Sequence, residues 1–144
     1  MKGMKTTAQV LVDCLEAEGV DVMFGIPGEE TLDLMFAIRD SKIRFIPVRH
    51  EQGAAFMADV YGRLTGRAGV CLSTLGPGQV GTDRMQLTSH QYLDLTAMFE
   101  PITKRSKQII RPDTVGEIVR LAFKHAEKGK PGATHIDLPQ NIAK

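Results

Sequence analysis

The sequence predicts an α/β fold, a doubly wound parallel sheet with helices on both faces. Short apolar runs rich in strand formers alternate with segments of helical periodicity along most of the chain. The runs are too short and too apolar to leave one face in water, as expected of parallel strands covered on both sides. Turn formers such as Gly19, Pro27-Gly28 and Gly129 to Gly132 punctuate the alternation.

Thr6 or Thr7 caps a first helix whose apolar positions Val10, Leu11, Cys14 and Leu15 fall at helical spacing, and Gly19 stops it. Val20 to Ile26 reads as a short strand closed by Pro27-Gly28. A second helix follows, with Glu29 and Glu30 in a first turn where negative charge complements the helix dipole. Leu32, Met35 and Phe36 form its inner stripe, and it ends near Ser41. Ile43 to Val48 is a second strand, His50 to Leu64 a third helix containing Gly53 and Gly62, and Ala68 to Ser73 a third strand. Val115, Ile118, Val119, Ala122, Phe123 and Ala126 mark the clearest helix, which Gly129-Lys130-Pro131-Gly132 ends. Ala133 to Leu138 is a last strand closed by Pro139, and Gln140 to Lys144 reads as the start of a linker. Between Gly78 and Thr103 the alternation fails. A polar run from Gln79 to His90 stands where a helix and a buried strand belong, so the sheet is expected to lack one unit after Gly78.

With 144 residues, 42% of them hydrophobic, residues 1–144 are expected to form a single domain around one core. Lys and Arg total 18 against 17 Asp and Glu, so no excess of positive charge exists to neutralise nucleic acid or an anionic membrane. Cys14 and Cys71 lie in apolar surroundings without CxxC spacing, which predicts buried free thiols rather than a disulfide or a metal site. The N-terminus carries no apolar leader and no stretch long enough to span a bilayer. A cytoplasmic setting is expected.

Three stretches fall where strands end, the place at which open α/β sheets hold ligands. They are Phe24 to Glu29, Arg49 to Ala55 and Ser73 to Gly78. Each has a plain reading. Pro27-Gly28 makes a turn, and Gly76-Pro77-Gly78 makes a tight connection, although its glycines also let backbone approach a bound group. Glu51 opens a helix, where its charge complements the dipole. It also has Gly53, Ala54 and Ala55 beside it, leaving little bulk to keep a planar ring away.

The segments FGIPGEE, RHEQGAAFMADVYGRLTG, GVCLSTLGPG, SHQYLDLTAMFEPITK and KPGATHIDLP together resemble the N-terminal domain of acetolactate synthases, within the thiamine-diphosphate enzymes. The likeness extends over nearly the whole chain, and RHEQGAA followed by GPG is its most specific part. It implies a pyrimidine-binding domain in which Glu51 touches N1′ of the cofactor's aminopyrimidine. A carboxyl sharing a proton there favours the imino tautomer, whose 4′ nitrogen then takes up the thiazolium C2 proton. The resemblance further implies that Pro27, Gly28, Thr74, Gly76, Pro77 and Gly78 line the pyrimidine pocket, and more loosely that Gln79 faces substrate.

It implies a parent that condenses pyruvate with a second 2-keto acid to 2-acetolactate, with thiamine diphosphate and Mg²⁺ as cofactors and FAD in some forms. Another 2-keto-acid decarboxylase or carboligase, or a non-catalytic flavodoxin-like dimerisation module, are the alternatives. Two departures stand out. Gln79-Val80-Gly81-Thr82-Asp83 follows Gly-Pro-Gly at once, where the family continues with a helix and a strand. Nothing here resembles the Gly-Asp-Gly motif that anchors Mg²⁺ and the diphosphate, so a diphosphate-binding domain, provided by a partner subunit in a homo-oligomer, is expected to complete the site. The chain alone is expected to bind the cofactor weakly and to be inactive.

Overall fold

A computed structural model describes residues 4–74, 81–82 and 93–144. Among them, strands and helices alternate as α1 (Thr7–Ala17), β1 (Val22–Gly25), α2 (Leu32–Arg39), β2 (Arg44–Pro47), α3 (Glu51–Thr65), β3 (Val70–Leu72), α4 (Leu95–Phe99), β4 (Arg105–Gln108), α5 (Val115–Glu127), β5 (Thr134–Asp137) and α6 (Gln140–Ala143). All strand pairs are parallel. β1 lies between β2 and β3, and β4 pairs with β5, so the described strands form two sheets rather than one.

One apolar core runs beneath both sheets. Leu11, Val12 and Leu15 of α1 pack with Leu34 and Ile38 of α2, with Val115, Val119 and Phe123 of α5, and with Val70, Leu72 and Ile136 from the strands. The interruption is therefore in the hydrogen-bond ladder and not in the core. It falls after β3, where the sequence predicts a missing helix–strand unit.

Local chemistry explains the element ends. Thr6 Oγ1 accepts from the Gln9 backbone N–H at 3.2 Å while Gln9 Oε1 accepts from the Thr6 N–H at 2.9 Å, a reciprocal cap that starts α1. Gly66, with φ at +71°, takes the left-handed turn that ends α3. α5 buries Val115, Val119, Ala122 and Phe123, as its spacing predicts.

Four expectations need correction. Glu29 and Glu30 lie in a 3₁₀ turn, Glu29–Thr31, ahead of α2. The buried Thr31 hydroxyl accepts from Gly28 N–H and donates to Gly28 C=O, and this lock sets the helix phase, so Leu34, Ala37 and Ile38 face the core. Leu32 and Phe36 of the predicted inner stripe are about half exposed, with the Arg39 guanidinium over the Phe36 ring. Residues 140–143 form α6 rather than a linker, and Ala143 is buried in the main core. Cys71 is free but exposed, and Cys14 only half-buried. β4, whose residues are Arg-Ser-Lys-Gln, carries no apolar signal and escapes a sequence reading. Its Ser106 and Gln108 side chains instead pair across to β5, Ser106 Oγ with His135 Nδ1 at 2.9 Å and Gln108 Nε2 donating to Asp137 Oδ2 at 2.6 Å.

Candidate active site

The register of the three-stranded sheet brings the predicted stretches to one edge. Gly25 is level with Pro47 on one side and Leu72 on the other, and Val48 N–H donates to Gly25 C=O at 2.9 Å. Consequently the residues following β1, β2 and β3 all emerge at the carboxyl edge, which brings Pro27, Gly28, Glu51 and Thr74 to the same end of the sheet. Gly76, Pro77, Gly78 and Gln79 lie outside the described residues.

Small residues make this edge compact. A Cβ on Gly28 would stand 2.4 Å from Thr74 Cγ2 and 3.1 Å from its Oγ1, so the first turn and the end of β3 touch only because residue 28 has no side chain. Gly28 has φ near −147°, extended backbone open to any residue, so the requirement is space rather than conformation. Ala54 and Ala58 fix α3 against Val22 and Phe24 of β1. A Cβ on Gly69 would come within 2.1 Å of the Ala58 carbonyl oxygen, which shows how closely β3 runs beneath the helix.

Glu51 is the first residue of α3 and is exposed. His50 precedes it in extended conformation as the cap, its Nδ1 accepting from Gln52 N–H at 3.2 Å. That bond requires an unprotonated Nδ1. A carboxylate at this point sits among the free N–H groups of a helix start. Beside it, Gly53 has open space: a Cβ there would meet nothing within 4 Å. Thr74 Oγ1 is buried yet has no hydrogen-bond partner among the described residues. A buried hydroxyl left in this way costs about 1 to 3 kcal/mol. An acid, open space and a waiting hydroxyl at one sheet edge suit a flat heterocycle with a polar rim. A concavity of about 590 Å³ opens instead beside Ser41 and Lys42, which precede β2, and so belongs to the opposite edge.

α3 carries a second feature that the sequence reading left aside. Phe56, Val60 and Leu64, four residues apart, are 69%, 50% and 81% exposed, and with Met57, Phe24 and Tyr61 they line a shallow apolar groove. Its signal in the sequence is the i, i+4, i+8 spacing, hidden because α3 buries its alanines on the opposite side.

Residues 5–82 match the model of the family described as thiamine pyrophosphate enzyme, N-terminal TPP binding domain. The chain belongs to this family. Among curated proteins, the catabolic acetolactate synthase of Raoultella terrigena is 41% identical over 159 aligned residues, covering 94% of this chain and 28% of the relative. A probable acetolactate synthase large subunit of Methanocaldococcus jannaschii is 39% identical, covering 99% of this chain and 27% of the relative. A probable 2-ketoarginine decarboxylase of Pseudomonas aeruginosa is 34% identical, with 95% and 29% covered. The chain thus spans between a quarter and a third of the length of these relatives. Among its described residues no helix is long and apolar enough to cross a membrane, and no group of three or more His, Cys, Asp or Glu side chains is placed to hold a metal ion.

Proposed function

We propose that this domain forms the pyrimidine side of a thiamine diphosphate site in an enzyme that decarboxylates pyruvate and joins it to a second 2-keto acid, giving 2-acetolactate. The observation that carries the reading is the convergence of Glu51, Gly28 and Thr74 on one sheet edge, with open space beside Gly53. The thiamine diphosphate supplies a nucleophilic carbon and an electron sink for decarboxylation when bound. The chain's own part is to hold and move one proton. The Glu51 carboxyl shares it with N1′ of the aminopyrimidine, while Pro27, Gly28 and the Thr74 hydroxyl form the wall against which the ring rests. Gly76, Pro77, Gly78 and Gln79 are assigned to the same pocket from their motif. Mg²⁺ and the diphosphate fall to a diphosphate-binding domain of the same enzyme, and the domain by itself binds the cofactor weakly and is inactive.

The relatives named as acetolactate synthases favour the carboligase reading, whereas the 2-ketoarginine decarboxylase favours simple decarboxylation of a different 2-keto acid as a second one. Product analysis on 2-keto acids, in protein that also carries the diphosphate-binding domain, separates them: 2-acetolactate from pyruvate supports the first, and carbon dioxide with the corresponding aldehyde supports the second. The role of Glu51 is tested by Glu51→Gln in protein that also carries the diphosphate-binding domain. Exchange of the thiamine C2 proton is expected to fall by roughly 10² or more, in line with the loss of a general acid–base group. Exchange as fast as wild type overturns the assignment.

The exposed apolar face of α3 supports a homo-oligomer. A helix apolar on both its inner and outer sides is covered on both in the working assembly. Self-association in sedimentation, abolished by Leu64→Glu, is the expected result, and a monomer at high concentration contradicts it.

A further inference from the structure

We infer that Asn141 is a positioning residue that takes the place of a strand, clamping Gly81 and Thr82 just past the carboxyl end of β5. Its effect on cofactor binding rests on the functional reading above, but the clamp itself does not.

The relatives carry sequence that this chain lacks. An alignment of 159 positions is filled by only 94% of a 144-residue chain, which leaves about two dozen positions without a counterpart, the length of one helix, one strand and their connections. In a parallel sheet such a unit leaves from the carboxyl end of one strand and returns to the carboxyl end of the next. Its removal therefore joins two points on the same edge. The described residues on either side of the junction each lie past the carboxyl end of a strand. Thr74 follows the carboxyl end of β3, and Thr82 is bonded to Asn141, just past the carboxyl end of β5.

A segment returning from a strand is fixed by ladder hydrogen bonds. Here the side chain of Asn141 makes an equivalent pair. Its Oδ1 accepts from Thr82 backbone N–H at 2.9 Å, and its Nδ2 donates to Thr82 Oγ1 at 2.8 Å. Only a side-chain amide offers a donor and an acceptor side by side at this reach; a carboxylate offers acceptors alone. The clamp has a firm base. Ile142 N–H and Ala143 N–H both donate to Pro139 C=O, Ala143 is buried in the main core, and Ile142 packs against it. Gly81 beside the clamped threonine is buried.

The test compares backbone amide hydrogen exchange in wild type, Asn141→Ala, Asn141→Asp, Thr82→Val and Thr82→Ser. Loss of both bonds in Asn141→Ala is expected to speed exchange at Gly81 and Thr82 roughly tenfold or more, with β1 and α3 unchanged. Thr82→Val loses one bond and falls between, Asn141→Asp keeps the backbone bond and can accept a second from the Thr82 hydroxyl, so it falls nearer wild type, Thr82→Ser behaves as wild type, and Thr82→Val adds nothing to Asn141→Ala. Unchanged exchange at Thr82 overturns the clamp, and so does acceleration spread equally over β1 and α3, which marks a merely structural role. Calorimetry with thiamine diphosphate and Mg²⁺ on the same substitutions, in protein that also carries the diphosphate-binding domain, reads the positioning: Asn141→Ala is expected to raise Kd about tenfold, and Thr82→Ser to leave it alone. A wild-type Kd in Asn141→Ala overturns the positioning role. Absence of binding by wild type counts against the functional reading instead, so the two failures are told apart.

Discussion

Gly28→Ala probes the contact that closes the candidate site. The added methyl would stand 2.4 Å from Thr74 Cγ2, where carbon atoms normally approach no closer than about 3.5 Å. Thr74 is β-branched, and rotating it to withdraw Cγ2 disturbs Oγ1, itself only 3.1 Å from the same point. Since residue 28 has ordinary extended backbone, no conformational penalty adds to the steric one. Overpacking of this kind costs about 1 to 3 kcal/mol. For a domain of this size the loss lowers Tm by roughly 3 to 10 °C. Thr74→Ser deletes Cγ2 and keeps Oγ1, so Gly28→Ala combined with Thr74→Ser is expected to recover most of the loss. Thermal unfolding of the four proteins in a double-mutant cycle reads this coupling. A Gly28→Ala variant as stable as wild type, or one that Thr74→Ser fails to rescue, refutes the reasoning.

Three further outcomes follow from the structure. Gly53→Ala meets nothing within 4 Å and removes a glycine from a helix, so it is expected to stabilise the domain by about 0.5 to 1 kcal/mol while weakening thiamine diphosphate binding through the methyl in the ring's space; denaturation and calorimetry check the two signs. Burial holds His135, stacked at 4.2 Å on Phe99, below the ordinary imidazole pKa of 6.5, so the unfolded chain takes up the proton first and stability present above about pH 6.5 is lost as pH falls below it. Thermal unfolding between about pH 7 and 5 is expected to show this loss in wild type and less of it in His135→Gln. Burial raises the Asp137 carboxyl, which acts with opposite sign: stability present below its ordinary pKa of 3.8 is lost as pH rises through the folded value.

Much of this was legible in the sequence where pattern and burial agree. α1 and α5 announce themselves by capping and periodicity, and the parallel sheet by short apolar runs between helices. The carboxyl-edge placement of Pro27, Gly28, Glu51 and Thr74 followed from the strand ends. What escaped did so for physical reasons. β4 is polar because one of its faces pairs Ser106 and Gln108 with His135 and Asp137 instead of entering an apolar layer. The phase of α2 is set by a single hydroxyl, that of Thr31, which no periodicity count sees. α6 is short, and its Ala143 finds the core only through tertiary contact.

The central claim is that the carboxyl edge carrying Glu51 receives the cofactor's pyrimidine. Titration of the isotope-labelled chain with thiamine diphosphate and Mg²⁺, followed by backbone amide shifts, tests it most directly. Changes are expected to concentrate at residues 26–29, 50–55 and 73–74, and to disappear in Glu51→Gln. Changes centred instead on the groove beside Ser41 and Lys42, or a pattern indifferent to Glu51→Gln, would contradict it.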